Sequence, residues 1–495
     1  MAREAGMATI NFIPNDPLAV DSPPMRRIQP PRYPTGTAAR FSVQPSAAVG
    51  LYQPPTPAFD FWQTQTALIF GLRVWRAIDG AYLPRWFGNQ AVLPVKTNAG
   101  DDLNAFYDRD SLQFFSHTFG GKTVHSCESV DVVVHEEGHA FLDAIRPDFF
   151  DVPYVEAGAL HEAIGDCVAL LAALSDAKIR ARALQLSPDL GSHQFVERLA
   201  EQLGDAIKRE YGANQVDPGA LRCALNTLRW RDPTTLPAST PAAQLSREVH
   251  NFSRVFTGCF YDVIRALYLA GTRTPAALGR AAVTAGKLLV SALRTVPATP
   301  RLFEGVGQRM LQADVGNNAG VNVSRIRSAF AAHGIALAAP ARSLLVPLTT
   351  GRAAAAVVAG DLRARLGLPR GAKMQLTSVR SDMHGQIAHV TGFQPMTLTG
   401  AGLRGLQILV PAVARVQTRG AAIVGLLGEP APIEKASQAH AQAFAQALVA
   451  NGDVELGKGA RAVRRVARPT SHVVKMVGGK PTIVRRGFVC GCRPA

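Results

Sequence analysis

Residues 131–166 read DVVVHEEGHAFLDAIRPDFFDVPYVEAGALHEAIGD, and two polar blocks stand out in this otherwise apolar stretch. His135-Glu136-Glu137-Gly138-His139 is an HExxH motif; Glu162 and Asp166 form a second pair inside ALHEAIGDCVALLAAL. Residues four apart on a helix share a face. His135 and His139 can therefore aim at one ion, with Glu136 beside them to handle the proton of a bound water. Glu162 and Asp166 have the same spacing, so a second helix offers a third ligand and a partner for a ligand histidine. The alternative is a chance motif on a solvated helix face. Against it, Val132, Val133 and Val134 precede the motif, and Ala140, Phe141 and Ala144 follow it. That pattern suits a buried helix, where polar groups are costly unless they have partners. The stretch reads as a zinc site.

Outward from this stretch, the 495-residue chain is too long for one ordinary core and predicts two or three domains. Its composition, 47% hydrophobic and 18% charged, is that of a globular protein rather than a disordered one. No apolar run reaches the ~18 residues that span a bilayer, and the first twenty residues lack the apolar core of a signal peptide. The default expectation is a cytoplasmic protein, or one exported without a cleaved signal. The net charge of +16 suits acidic surfaces, nucleic acid or anionic membrane. Arginine-rich usage along the whole chain explains it more simply. Cys127, Cys167, Cys223 and Cys259 are scattered singly, as buried free thiols are, and Cys490 and Cys492 form a CxC too small for a zinc site or a disulfide framework.

Residues 1–56 are proline-rich with little apolar periodicity, and predict an extended or disordered leader. Apolar residues at helical spacing predict a helix over 60–82, and QAVLPVKT and LNAFYDRDSLQFF contain strand-like pieces. Residues 159–174 predict a buried helix with His161, Glu162 and Asp166 as its polar exceptions. Residues 193–230 read as further helix containing Arg222, and another helix carries His250 at its start. Helical patterns run on to VSRIRSAFAAHGI. Beyond residue 337 the texture changes to strands around His384-Gly385, a strand-rich stretch, an amphipathic helix and a hairpin at Gly478-Gly479. The expected fold class is α+β: 57–337 as one domain, mainly helical in its second half, and 338–495 as a separate, basic α+β domain.

Over 57–337 the chain resembles the catalytic domain of the thermolysin family, the HExxH-plus-glutamate zinc endopeptidases or gluzincins. Several separated motifs carry the resemblance in the family's order. Asn104-Ala105-Phe106-Tyr107 resembles the edge-strand segment that holds an extended peptide through the Asn side chain and backbone groups. Residues 131–139 resemble the helix with two zinc ligands and the catalytic glutamate, and 156–166 the third-ligand helix. Ala220-Leu221-Arg222 resembles the segment whose arginine grips the substrate carbonyl, and Val249-His250 with Ser253 the one carrying the transition-state histidine.

The resemblance implies zinc held by His135, His139 and Glu162, with Asp166 supporting a zinc histidine from behind. It implies Glu136 as general base, His250 and Tyr154 at the oxyanion, and Asn104, Ala105 and Arg222 on a protein or peptide substrate. There are departures. His161 replaces an Asn before the third ligand, and Tyr154 is displaced by one position. The acid that orients the histidine is absent at Leu245, leaving Glu248 as the candidate substitute. Asp131 matches a calcium ligand, but Ala173 stands where a second acid is expected, so calcium binding is not anticipated.

Two other readings compete. In one, the zincin domain is a catalytically weak or silent scaffold and the basic C-terminal domain binds a partner such as nucleic acid. Its basic run Lys458, Arg461, Arg464, Arg465 and Arg468 has no interleaved aromatics, so base stacking is unsupported. Residues 452–459 approach a phosphate-binding loop but lack its final Ser/Thr and follow a helix, which excludes it. In the other, the C-terminal domain inhibits or targets the enzyme.

Overall fold

The computed structural model describes residues 8–80, 85–340, 345–346, 368, 374–382, 385–419, 422–426, 434–456 and 470–489. The fold is mixed α+β. A small sheet is built from β1 (Arg40–Gln44), β2 (Val92–Lys96), β3 (Ala105–Tyr107) and β4 (Leu112–Phe114). β1, β2 and β4 run parallel, and β3 pairs antiparallel with β4. Behind it lies α1 (Pro57–Ile78), which starts sharply because Thr56 caps the Phe59 N–H and Pro57 sits at its first position. Residues 8–56, expected to be an extended or disordered leader, are built into the fold. Ile10 and Phe12 are fully buried, and Phe41 and Val43 are buried from β1. Prolines interrupt this stretch, so its few apolar residues show no period: Ile10, Phe12, Phe41 and Val43 reach the core, while Leu18, Val20, Met25, Val49 and Leu51 are exposed.

Two long helices form the centre. α2 (Val130–Ile145) is capped by the Ser129 side chain, and α3 (Val155–Ser175) is buried along nearly its whole length. They cross in close contact at two glycines. A Cβ at Gly138 would lie 2.8 Å from the Gly165 Cα, and one at Gly165 would lie 2.5 Å from His135 Nδ1. Any side chain there would push the helices apart, and with them the polar blocks that each carries.

Residues 193–230, expected to be helical, hold an α-helix at Glu201–Tyr211 and a single 3-10 turn at Ala213–Gln215. Arg222 lies instead on a short ribbon, β5 (Arg198–Leu199) with β6 (Arg222–Cys223). Apolar spacing in this stretch reflects burial from several sides rather than one helix face. α4 (Val249–Leu269), α5 (Pro275–Thr295), α6 (Leu302–Asn318) and α7 (Val323–Ala332) complete the helical half. By length and composition alone α3 and α5 are apolar enough to cross a membrane. The apolar window of α3 is wholly buried within the protein, and most of that of α5 is.

The C-terminal region centres on β7 (Gln375–Asp382), β8 (Gly385–Thr397) and β9 (Gln407–Arg419), with β8 and β9 in continuous antiparallel register from Gln386↔Thr418 to Thr397↔Gln407. α8 (Lys435–Ala450) packs on β9, on the turn at Pro233–Thr235 and on α3. β10 (His472–Val477) and β11 (Lys480–Arg485) form the expected hairpin, and β11 pairs parallel with β9. The chain then leaves this sheet. β12 (Phe488–Val489) crosses to the first sheet and pairs antiparallel with the outer edge of β3, giving the order β12-β3-β4-β2-β1. His384, the basic run 458–468, Cys490 and Cys492 lie outside the described residues.

Candidate metal centre

Three histidine side chains converge on Glu162. Its carboxylate lies 3.4 Å from His135 Nε2, 3.8 Å from His139 Nε2 and 3.4 Å from His250 Nε2. All four groups are buried or nearly so. The ligand atoms of His135, Glu136 and His139 also lie within 4.8 Å of one another. Two carboxylates are thus near the histidines, and geometry separates their roles. Glu162 faces both imidazole Nε2 atoms from the opposite helix, whereas Glu136 approaches from the side on the histidines' own helix. Glu137 points elsewhere. Its fully buried carboxyl fills the space that Gly71 of α1 leaves open, and burial pushes its pKa well up, toward the neutral form.

Behind His135 stands a second layer. His135 Nδ1 is 3.0 Å from Asp166 Oδ1, and Asp166 accepts from the Arg222 guanidinium at 2.9 Å and from the Thr257 hydroxyl at 3.2 Å. Burial would raise the Asp166 pKa, but Arg222 and His135 hold it below the usual carboxylate range. Such a carboxylate fixes the tautomer and direction of a ligand imidazole. Burial alone would lower the His135 pKa, yet its bonds to Asp166 and Glu162 lift it to about 9. Burial holds His139 neutral, its pKa down at about 3. Burial would raise Glu162, but His250, His139 and His135 pull it well below normal.

His250 opens α4, and Glu248, the N-cap residue of that helix, accepts from the His250 and Asn251 backbone N–H groups. The same Glu248 carboxylate reaches His250 Nδ1 at 2.6 Å, filling the orienting position that Leu245 cannot fill. Burial would lower the His250 pKa; Glu162 and Glu248 outweigh it and raise it to about 9. Its Nε2 faces the cluster as a donor.

The remaining sequence candidates divide. Asn104 and Ala105 are buried at the start of β3, and Asn104 Nδ2 donates to Asp102 Oδ2 at 3.3 Å. β3 is fastened to the motif helix: the Tyr107 hydroxyl donates to Asp143 of α2 at 2.9 Å, and Arg109 forks onto the same carboxylate. Arg222 is at the site, buried, but its guanidinium is spent on Asp166 rather than projecting alone into the cleft. Tyr154 is buried and meets α8. Its hydroxyl bonds Ser437 of α8, and its ring lies edge-on to His440 at 6.4 Å between centroids.

Sequence reasoning missed the residues that close the site. A cavity of about 320 Å³ is lined by Glu162, Arg222, Glu248 and His250 on one side and by Phe444, Leu448, His472 and Arg485 on the other. Phe488 stacks on His139 at 4.6 Å and on His161 at 4.1 Å. Nothing in the local sequence around Phe488 signals this contact, since its partners are hundreds of residues away.

A second buried cluster lies at the start of α2, where carboxylate oxygens of Asp16, Asp131 and Glu201 lie within 4.8 Å of one another. Burial, reinforced for Glu201 by Asp16 and Asp131, raises the pKa of Asp16 to about 6 and of Glu201 to about 10; Asp131 is also pushed well up. Sequence reasoning named only Asp131 here.

No protein-family model matches the chain, and no curated protein matches it.

Proposed function

We propose that the chain is a zinc-dependent metalloendopeptidase, a divergent member of the thermolysin-like gluzincins, acting on protein or peptide substrates. The observation that carries this reading is the convergence of His135, His139 and Glu162, with Glu136 beside them and His250 opposite, in one buried cluster next to the edge strand β3. The donor set fits zinc: two imidazoles and one carboxylate from facing helices, with an Asp behind one imidazole. The His135 Nε2 atom is buried and faces the Glu162 carboxylate at 3.4 Å, as two ligand atoms sharing one ion would. Bound there, zinc supplies Lewis-acid polarisation and lowers the pKa of a water toward ~7.

The chain's own residues supply the rest. Glu136 accepts the proton of the attacking water and passes it to the leaving amine. His250, held by Glu248, donates from Nε2 to the oxyanion that develops on the attacked carbonyl. Arg222 and Thr257 fix Asp166, which fixes His135. The edge of β3 aligns an extended peptide by backbone pairing, which contributes orientation rather than chemistry.

One observation favours the rival reading of a silent scaffold: the β3 edge is already paired by the chain's own β12. Incubation with a mixed peptide library, read by mass spectrometry with and without a zinc chelator, separates the two. Chelator-sensitive cleavage supports the peptidase; zinc binding without any cleavage, even from variants that free the edge, supports the scaffold.

A further inference from the structure

We propose that residues 485–489 are an autoinhibitory strand, and that the full chain is latent until this segment leaves the cleft. The inference rests on the peptidase reading for its consequence, although the pairing itself is independent of it.

Three observations carry it. First, β12 takes the place an extended ligand would take on β3, with Phe488 opposite Tyr107 and Val489 opposite Phe106 in antiparallel register. A peptide added to a sheet edge binds in this manner, by main-chain pairing with side chains sorted into pockets. Gly487 permits the approach: a Cβ there would lie 2.6 Å from both the Tyr107 carbonyl oxygen and the Phe106 ring.

Second, the side chains of β12 and of the last residue of β11 cover the candidate metal centre. Phe488 is 1% exposed and lies flat against His139, a proposed ligand, and His161. Arg485 sits over the Phe488 ring at 4.3 Å and donates from Nε to the Phe150 carbonyl at 2.8 Å. Third, the attachment is short. Among the described residues two pair with β3, against the continuous twelve-pair register of β8 with β9. A short edge pairing opens at lower cost than a core sheet. While it is closed, the apparent affinity for any competing peptide is reduced by the fraction of molecules that are open.

The test uses the full chain, zinc-loaded, as parent and as the Phe488→Ala and Val489→Pro variants. The first removes the aromatic cover, and the second removes a strand N–H. A fluorescent peptide copying residues 482–489 reports edge occupancy by anisotropy, and a quenched peptide substrate reports cleavage. The expected result is tighter peptide binding and a higher kcat/KM in both variants, each by about tenfold or more. Tighter binding in variants that still cleave nothing sustains the strand and overturns the peptidase reading. Unchanged binding and cleavage in variants that melt like the parent overturns the proposal.

Should the variants fail to fold, amide hydrogen exchange on the parent decides. Amides across the β12–β3 pairing are expected to exchange faster than those of β8 and β9. Protection equal to that core sheet makes β12 a permanent structural strand and overturns the proposal.

Discussion

α2 carries two buried polar clusters, one at its N-terminus and one farther along around His135 and His139, and they handle charge in opposite ways. Farther along, His135 and His139 face Glu162, with His250 and Arg222 adding positive charge, so Glu162 and Asp166 are held ionised. At the N-terminal side, Asp131 meets Asp16 and Glu201, and the close help comes from neutral donors: Asn15 Nδ2 at 3.2 Å and the Ala200 N–H at 3.4 Å on Asp131, and the Leu18 and Gln202 N–H groups at 2.9 Å on Asp16, while the charges of His135 and Arg198 contribute least. Burial there holds the carboxyls toward their neutral forms. The same helix thus shows what makes a buried carboxylate cheap. It is opposite charge within hydrogen-bonding reach, not burial or hydrogen bonding alone.

The sharpest contrast comes from removing one carboxylate from each cluster. Glu162→Gln is expected to cut bound zinc from about one ion per chain to below about 0.1 after dialysis. Glu201→Gln should leave zinc content unchanged. Elemental analysis of both purified variants makes the comparison, and equal zinc loss would erase the distinction between the clusters.

The next effect is on stability against pH. The pKa values of Asp16 and Glu201 are raised when folded, to about 6 and about 10, so the folded state keeps protons that the unfolded state releases. Their contribution is complete below the ordinary carboxylate range and is lost as pH rises through those values. The lowered groups, Glu162 and Asp166, act oppositely: their contribution is present above the ordinary carboxylate range and fades as pH falls. Without divalent cations, melting temperature should therefore drop between pH 5 and pH 8, and Glu201→Gln should lessen that drop. A thermal melt series at fixed ionic strength checks this; a rise over the same range would contradict it.

The smallest expected effect concerns Glu248. Glu248→Gln keeps a cap acceptor for α4 but removes the charge beside His250 Nδ1. We expect kcat to fall by about tenfold with KM little changed, and the basic limb of the pH–rate profile to move to lower pH. Loss of fold stability with an unmoved pH profile would assign Glu248 to capping alone.

How much was legible in the sequence follows the same division. His135, His139, Glu162 and Asp166 lie on two helices close in sequence, each with four-residue spacing, and local periodicity was enough to bring them together. Arg222 and His250 were found through motif order, but the fork of Arg222 onto Asp166 was not foreseen. The bond of Tyr154 to Ser437 was not foreseen, because it depends on α8, which packs back from the far end of the chain. Asp16 and Glu201 join Asp131, and Phe488 joins His139, through tertiary approach that leaves no local period. The buried arm at 8–56 failed for a related reason: its prolines suppress periodicity while Ile10, Phe12 and Phe41 still reach the core.

The central claim is that the cluster around His135 and His139 of α2 is a working zinc centre with Glu136 as its base. The most direct test is Glu136→Gln in the Phe488→Ala background, measured for zinc content and peptide cleavage in one preparation. The account predicts about one zinc per chain and cleavage reduced by at least ~100-fold relative to Phe488→Ala alone. Substantial cleavage with the metal still bound would contradict it.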